Sequence, residues 1–420
     1  MSNSSVSSLF ITRHLPYPPM GGVALRNWQN INIMMRWGQV AVFSISSDGM
    51  KPQSDRLPGV KIWHNYDIGS LRQQRSLIRK IRDRLWWLQP YSHPWVNQLY
   101  GDSAVRDLKE VLTEFQPQIV VFEELWLYRY FKVVQHYGCR TIYDAHNVEV
   151  LLRRDINSLI QKPKWHSGIE SRLFLHQVES IERNFIHQAD QIWACSDDDA
   201  RLLEKLYRPR RSARVIPNGV NVAEYNNLCQ GEGELPDGLE PLRWTLIFTA
   251  LFTHPPNAIA AQLLIDQIYP QLREYYPNCR LILAGRNPTP TMRQAAKKDP
   301  KIIVTGQVPD VRPYLAAASV VIVPLLDGGG TRLKILEAFA AGRPVVSTAK
   351  GAEGLHVRDG ENLLIRDSVE EMVMGVCQLW SDPALAKKLT DAARKLVCAE
   401  YSWQGVSKRV DEAVRGLLGR

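Results

Sequence analysis

This sequence lacks the patterns that make disulfide frameworks and common metal sites. Its six cysteines lie far apart in the chain and form no CxxC pair, which argues against both disulfides and a zinc site. HExxH, GxSxG and Walker sequences are missing, as is a DxD placed after a strand. The acidic run 197–199 falls in a predicted first helical turn, where helix capping explains it. We expect reduced thiols and no essential metal.

Long apolar runs are missing as well. The longest, such as 320–326, fall far short of the ~20 residues that a membrane-spanning helix needs. The N-terminus has no basic region followed by an apolar stretch, so no secretory leader is predicted. We expect a cytoplasmic protein, with peripheral attachment to the inner face of a membrane left open.

The charge is unbalanced toward the basic side. The 420 residues include 52 Lys and Arg against 43 Asp and Glu, a net charge of +9, and most of the excess lies in residues 1–225. A basic balance favours an anionic partner. Nucleic acid, an anionic membrane and a phosphorylated substrate all fit at this point.

Short β-branched runs alternate with helical stretches along the chain, which is typical of parallel βαβ layers. The predicted strands are 8–13, 40–45, 119–122, 141–144, 192–195, 214–216, 244–251, 280–284, 302–305, 320–324, 345–348 and 362–365. The series runs twice, so the predicted fold class is α/β with two Rossmann-like doubly wound domains facing across a cleft.

The predicted domain boundaries follow composition. Residues 1–225 form the first domain, 226–242 a linker rich in Gly, Pro and acids, and 243–400 the second domain. Residues 401–420 read as an amphipathic helix whose apolar stripe needs a partner surface. Since open parallel sheets bind ligands outside the carboxyl ends of their strands, functional residues should follow strands.

One segment, 71–87, breaks the alternation, because six basic residues interleave with apolar ones and it ends in two tryptophans. A basic amphipathic helix of this kind can lie in a membrane interface. An ordinary solvated helix is an equal alternative. Nucleic acid fits less well, since the aromatic residues cluster at one end.

The strongest local signal is the loop and helix after the strand 320–324. Three glycines, Gly328, Gly329 and Gly330, precede a helix predicted to begin near Thr331, and exposed amides at a helix N-terminus favour anions. Arg332 and Lys334 supply two cations that could bind a phosphate. Glu337 lies further along, where a carboxylate could accept hydrogen bonds from ribose hydroxyls. The three glycines alone would also fit an ordinary Gly-rich turn that binds no ligand.

A second glycine pair, Gly21 and Gly22, follows the first strand and precedes a helix from Val23. The sequence here is not GxGxxG, and no acidic residue ends the second strand. Both absences argue against a nicotinamide or flavin enzyme.

Polar residues also follow the strand 141–144. Asp144, His146 and Asn147 lie where ligand contacts are expected. His146 could orient a hydroxyl or receive its proton, although a lone histidine is as often structural. Asn257 lies at a predicted helix start after the first strand of the second domain.

Four segments together carry a family resemblance: PPMGG near the start, DAHNVE, IPNGVN, and GGGTRLKILEAFAAGRPVVSTAKGAEGL near the end. With them the chain resembles the retaining GT-B glycosyltransferases of the group 1 kind, over nearly its whole length. The resemblance implies an N-terminal domain for the acceptor, a C-terminal domain for a nucleotide-sugar donor, and a final helix that crosses back to the first domain.

The resemblance also implies roles for single residues. Glu337 would hold the donor ribose, Arg332 or Lys334 would face the diphosphate, His146 would lie beside the transferred sugar, and Gly22 near the phosphates. The full predicted set is: catalytic, His146, Arg332 and Lys334; donor-binding, Gly21, Gly22, Asn257, Gly285, Gly306, Asp327, Gly328, Gly329, Gly330, Thr331 and Glu337; acceptor side, Arg26, Asp144 and Asn147.

Two departures from the family pattern stand out. Many members carry a glutamate where Gly329 stands, so Asp327 or backbone must make that contact to the sugar. The loop after Leu251 reads FTHPPN where many relatives have an Arg and a Lys for the diphosphate, which leaves Arg332 and Lys334 as the cations.

The predicted activity is a metal-independent hexosyltransferase that retains anomeric configuration, using a nucleotide sugar as co-substrate with no other cofactor. Its acceptor would be a lipid or glycan. Two alternatives stay open: a nucleotide-sugar epimerase on the same fold, and a non-catalytic anion-binding or membrane-binding protein. The base, the sugar and the linkage are not readable from the sequence.

Overall fold

The computed structural model describes residues 5–19, 21–46, 57–69, 86–89, 91–159, 167–240, 242–328 and 332–419. The chain divides into two compact units. Unit 1 comprises residues 1–217 and 407–420, and unit 2 comprises residues 218–406.

Unit 1 is built on a seven-stranded parallel sheet in the order β3-β2-β1-β4-β5-β6-β7. Its strands are β1 Ser8–Thr12, β2 Val40–Ser46, β3 Ile62–Asp67, β4 Ile119–Glu123, β5 Arg140–Ala145, β6 Gln191–Ala194 and β7 Arg214–Val215. Strands β1, β2 and β4 are buried along their whole length, as expected where helices cover both faces of a parallel sheet.

The helices of unit 1 are α1 Gly22–Met35, α2 Pro94–Leu99, α3 Asp102–Phe115, α4 Tyr128–Val134, α5 Glu149–Leu159, α6 Ser167–Gln188 and α7 Asp197–Tyr207. Short 3-10 turns lie at Trp86–Leu88, Leu125–Leu127 and Gln135–Tyr137. Helix α7 begins at an N-cap, Ser196, whose side chain accepts a hydrogen bond from the Asp199 amide, so the acidic run 197–199 occupies a first turn as predicted.

Unit 2 is built on a six-stranded parallel sheet in the order β10-β9-β8-β11-β12-β13. Its strands are β8 Thr245–Thr249, β9 Arg280–Ala284, β10 Ile302–Gly306, β11 Val320–Val323, β12 Val345–Ser347 and β13 Leu364–Ile365. Its helices are α8 Asn226–Cys229, α9 Pro255–Leu263, α10 Tyr269–Tyr275, α11 Pro290–Lys298, α12 Arg312–Ala317, α13 Leu333–Ala340, α14 Ala349–Ala352, α15 Val369–Ser381 and α16 Pro383–Leu396. A 3-10 turn at Val222–Tyr225 and π-helical turns at Leu264–Ile268 and Val397–Tyr401 complete the unit.

Each unit thus has a parallel sheet between helices, which confirms the predicted pair of Rossmann-like domains. Of the thirteen strands within the described residues, twelve were predicted, and the one missed is β3. It lies at the edge of its sheet and most of its residues are only half-buried, so it lacks the apolar run that marks an interior strand.

The boundary between the units differs from the predicted linker at 226–242. It falls at Pro217 and Asn218, and residues 226–229 are helical. Tyr225 and Leu228 are buried in the core of unit 2. The Gly-rich composition downstream marks surface turns of that unit.

The last helix, α17 Trp403–Leu418, leaves unit 2, and from residue 407 onward it belongs to unit 1. Its Asp411 accepts a 2.7 Å hydrogen bond from the Trp37 indole, and Gln191 donates to the Ala413 carbonyl at 3.0 Å. The apolar stripe, including Val410 and Val414, is fully buried. None of the helices in the described ranges is both long and apolar enough to span a bilayer.

Candidate active site

The carboxyl ends of β4 and β5 in unit 1 carry a buried ionic cluster. Asp144, on β5, is fully buried and its two oxygens accept hydrogen bonds from the Arg26 guanidinium, with Nε at 2.9 Å from Oδ2. Arg26 lies on α1 and also donates to the Ile216 carbonyl at 2.7 Å. Asn30, one turn further along α1, donates to Asp144 Oδ2 at 2.9 Å. Helix α1 is therefore fastened to the sheet by a fully buried, bidentate ion pair.

His146 lies in the same cluster, just after β5. Its Nε2 is 2.9 Å from Oε2 of Glu123 and 3.6 Å from Asp144 Oδ2. Glu123 is the last residue of β4 and fully buried, and the amide nitrogen of Asn27, in its hydrogen-bonded orientation, donates to the same oxygen at 2.9 Å. His146 is 8% exposed. The contacts of Nε2 with Glu123 and Asp144 hold the orientation of its ring.

The cluster shifts the pKa values of its members. Burial favours the neutral ring of His146, but the hydrogen bonds to Asp144 and Glu123 outweigh it and raise the pKa of His146 to about 10. Burial, reinforced by the charge of Asp144, raises the pKa of Glu123 to about 8. For Asp144, Arg26 outweighs burial and lowers the pKa below its ordinary range. The hydrogen bonds and the nearby carboxylates favour the protonated ring of His146, which suits it to donate hydrogen bonds.

One atom each from Glu123, Asp144 and His146 lie within 4.8 Å of one another, a spacing that could hold a metal ion. The Arg26 guanidinium, however, already occupies both Asp144 oxygens. A fixed cation at that place repels a second one and satisfies the carboxylate. The cluster fits internal ion pairing better than metal binding.

The remaining predicted residues of unit 1 lie around this cluster. Gly21 is the N-cap of α1 with φ +96°, a conformation that favours glycine, and Gly22 begins the helix. Both are exposed. Asn147 lies beside Glu149, to which its side chain donates a hydrogen bond.

In unit 2 the candidate site lies around the loop between β11 and α13. Gly329, Gly330 and Thr331 lie outside the described residues. Gly328 has φ +103°, and a Cβ there would lie 3.4 Å from Pro256 Cγ. Arg332 is 7% exposed, and its Nη2 donates to the carbonyls of Gly328 at 2.7 Å and Lys350 at 3.2 Å. The guanidinium thereby joins the loop at Gly328 to α14 at Lys350.

Lys334 and Glu337 lie on α13, and each contacts a side chain from another element. Lys334 Nζ donates to Asn257 Oδ1 at 3.1 Å and lies 4.2 Å from the centre of the Phe248 ring. Glu337 Oε1 accepts a 3.2 Å hydrogen bond from the hydroxyl of Tyr225. The site thus combines a cation over an aromatic ring with a carboxylate held by a phenol.

Both charged groups have shifted pKa values. Burial, followed by the nearby charge of Arg332, lowers the pKa of Lys334 to about 7. Burial also raises the pKa of Glu337 to about 7, against the opposing hydrogen bond from Tyr225. Shifts of this kind beside a strand end are typical of functional sites.

The other predicted donor-side residues differ in their surroundings. Gly285 follows β9 with φ +149°, and a Cβ there would lie 1.7 Å from the Ala250 carbonyl oxygen, so close backbone packing alone requires glycine. Gly306 ends β10 with φ +71° and open space around its Cα. Asp327 is half-buried in the loop after β11.

Sequence reasoning missed several contributors to the two clusters, among them Glu123, Asn30 and Tyr225. Glu123 offered a signal, since it is a charged residue ending an apolar strand. Asn30 and Tyr225 offered none, because a polar residue on a helix and a tyrosine near a turn are common.

The basic segment 71–87 falls mostly outside the described residues. Its Trp86 is described and is 7% exposed, with its ring centroid 5.8 Å from that of His93. That tryptophan is therefore a core residue of unit 1.

Comparison with known proteins identifies the class. Residues 243–382 match the family model described as glycosyl transferases group 1, and residues 39–224 match the model described as glycosyltransferase family 4. Together the two matches cover most of both units. The chain belongs to the group 1 glycosyltransferases and has the GT-B fold.

Curated relatives and solved structures agree with this class. The lipopolysaccharide 1,2-N-acetylglucosaminetransferase of Salmonella typhimurium is 24% identical over 53% of this chain and 64% of its own length. The phosphatidyl-myo-inositol mannosyltransferase of Mycolicibacterium smegmatis is 28% identical over 48% of this chain and 52% of its own length. The alignments thus span about half to two thirds of these relatives.

The fold itself matches over almost the whole chain. Sucrose-phosphate synthase from Thermosynechococcus elongatus superposes with a TM-score of 0.71 at 15% identity, covering 99% of both chains. HepE from Anabaena, in complex with UDP-glucose, superposes with a TM-score of 0.65 at 13% identity, covering 98% of this chain and 99% of its own. At these identities the structures establish the fold alone.

Proposed function

We propose that this protein is a retaining, metal-independent hexosyltransferase that moves a hexose from a nucleoside-diphosphate sugar to a hydroxyl of a glycan or lipid-linked acceptor. The observation that carries the proposal is the grouping of Lys334, Glu337 and the braced Gly328 loop at the carboxyl end of β11. This is the edge of a doubly wound sheet where nucleotides bind. A family neighbour bound to UDP-glucose supports the same class of donor.

In the proposed reaction the bond from the anomeric carbon to the β-phosphate oxygen breaks, and a bond from that carbon to the acceptor oxygen forms. The acceptor proton passes to the leaving diphosphate, so no protein base is needed. Lys334, when charged, stabilises the negative charge that develops on the diphosphate. Arg332 acts through the loop that it braces, and Glu337 accepts hydrogen bonds from the ribose hydroxyls.

For unit 1 we assign the acceptor and a hydrogen-bonding role for His146. An imidazole whose protonated form is favoured suits donation to a substrate oxygen. The names of the curated relatives, which act on lipopolysaccharide and phosphatidyl-myo-inositol, support a glycan or lipid-linked acceptor.

The first experiment is a thermal-shift screen of the full chain against UDP, GDP and ADP and their hexose conjugates. A ligand that binds the native state raises Tm according to its concentration and affinity. We expect one base to shift Tm selectively, with EDTA having no effect. If no nucleotide shifts Tm, the donor assignment is wrong. Proton NMR of the product then reads its anomeric configuration.

Membrane attachment through 71–87 stays a separate proposal. Because Trp86 is buried, the test should change charge: Arg72→Gln with Arg75→Gln and Arg79→Gln. We expect less sedimentation with phosphatidylglycerol vesicles and unchanged binding to neutral vesicles. Equal sedimentation of the variant and the parent would contradict membrane attachment.

A further inference from the structure

A glutamate with a strained backbone conformation lies at the carboxyl end of β4. Glu124, directly after the strand, has φ +93° and ψ +151°, a region that a side chain other than hydrogen rarely occupies. It is 8% exposed. Such backbone strain destabilises the folded state and clusters at sites of function, so the position calls for a role beyond packing.

The carboxylate of Glu124 is not satisfied by its neighbours. Its Oε1 lies 3.9 Å from Arg13 Nη1 and its Oε2 lies 3.9 Å from His14 Nε2, both beyond hydrogen-bond distance. Oε2 is buried, and none of the residues that the structure describes donates a hydrogen bond to it. A buried carboxylate oxygen without a donor is costly, and hydroxyl groups of a ligand would satisfy it.

An aromatic surface adjoins this carboxylate through Arg13, whose guanidinium carbon is 6.0 Å from the Trp95 ring centre. Trp95 is half-buried and packs edge-on against Trp126 with ring centroids 4.8 Å apart. Arg153 lies 4.4 Å from the Trp95 ring centre and is paired with Glu149 at 3.0 Å. These pairings fix the orientation of the Trp95 ring.

Two arginines and two carboxylates lie around this place, and His14 lies beside Glu124. Arg13 and Arg153 face Glu124 and Glu149, and the two carboxylates are close enough that Glu124 contributes to the raised pKa of Glu149, after burial itself. An anion such as phosphate would meet two carboxylates. A neutral ring with hydroxyl groups would meet acceptors, donors and an aromatic face together.

From this arrangement we infer that Glu124, Arg13 and Trp95 form an acceptor subsite for a neutral polyhydroxylated ring, either a pyranose sugar or a cyclitol. The inference deepens the proposed function and rests on it in one respect: the ring is an acceptor only if the protein is a hexosyltransferase. In the subsite, ring hydroxyls donate to Glu124 and accept from Arg13, while C–H groups of the ring pack on Trp95.

The test is saturation-transfer NMR on the full chain with three probes: methyl α-D-glucopyranoside, myo-inositol and inorganic phosphate. We expect transfer to at least one neutral ring. Transfer to the glucoside alone identifies a sugar subsite, and transfer to inositol alone a cyclitol subsite. Transfer to phosphate alone, or to none of the probes, would overturn the inference.

Two variants separate binding from folding. Glu124→Gly suits the positive φ, so Tm should stay equal or rise, while the Kd for the ring should increase about 10- to 100-fold through loss of a charged hydrogen-bond partner. Trp95→Ala should weaken binding as well. The control is Glu110→Gln, an exposed change on α3, which should alter neither quantity. A Glu124→Gly variant that binds the ring as well as the parent contradicts the assignment.

The same samples distinguish this inference from the donor assignment. Glu124→Gly should keep the full nucleotide-induced Tm shift, since its change lies in unit 1. Ring binding without any nucleotide shift in the parent would leave the subsite standing and remove the glycosyltransferase proposal.

Discussion

The affinity of unit 2 for a nucleotide sugar should depend steeply on pH, because Lys334 is poised near neutrality. Burial lowers the pKa of Lys334 to about 7, so half of the free protein carries the charge there. The diphosphate of UDP-glucose does not titrate between pH 7 and 9. The uracil ring begins to ionise at the alkaline end of this range, but it does so equally for the parent and for a variant at position 334, so the difference between them reports on the protein. The perturbation is Lys334→Arg, which is charged throughout this range.

The magnitude follows from linkage. If only the charged lysine binds the diphosphate, the apparent Kd is the intrinsic Kd divided by the charged fraction, which falls from about one half at pH 7 to about 1% at pH 9. The Kd of the parent should therefore rise about 50-fold over this interval. Lys334 decides the sign, since a cation with a lowered pKa loses its charge as pH rises and binding weakens with it. Glu337 ionises over the same interval, but its charged fraction rises only about twofold between pH 7 and 9.

Isothermal titration calorimetry measures this directly. In buffers of different ionisation enthalpy, the parent should take up about half a proton more than Lys334→Arg at pH 7 when UDP-glucose binds, a difference that cancels the contribution of Glu337. Lys334→Arg should show neither proton uptake from this position nor the 50-fold slope, and Lys334→Met should bind weakly at every pH. A flat Kd for the parent from pH 7 to 9, or an unchanged slope in Lys334→Arg, would refute the reasoning.

Three other outcomes follow from single contacts. Tyr225→Phe removes the 3.2 Å hydrogen bond to Glu337, so the carboxylate loses an orienting donor. We expect calorimetry to give a Kd for UDP-glucose about 3- to 10-fold higher, with Tm lowered by a few degrees at most. An unchanged Kd would mean that Tyr225 does not orient the carboxylate. Arg26→Met removes the bidentate partner of the buried Asp144 and leaves only Asn30 and His146 beside it, which should cost about 3–5 kcal/mol in urea unfolding. Arg26→Lys should recover only part of this loss, and full recovery would show that the bidentate geometry is unimportant. Gly285→Ala places a Cβ at 1.7 Å from a backbone oxygen, so expression should yield little folded protein, and a normal Tm would show that the turn can move.

Local sequence predicted much of the fold for a physical reason. Strands of a parallel sheet covered on both faces are runs of apolar residues, and β1, β4 and β11 are such runs. The half-buried edge strand β3 has no such run and was missed. The predicted linker at 226–242 lies after the observed division between the units at 217/218. A composition rich in Gly, Pro and acids is found in surface turns as well as in linkers.

The two βαβ series, the glycine-containing turns and the kinds of side chain that follow β5 and β11 could be predicted, since each depends on residues near in sequence. Which side chains meet depends on the folded chain. Arg26 and Asp144 are 118 residues apart, and Tyr225 and Glu337 are 112 apart, because sheet order places distant segments side by side. The pKa values of His146, Lys334 and the other buried groups depend on those contacts and on burial, and local sequence periodicity predicts neither.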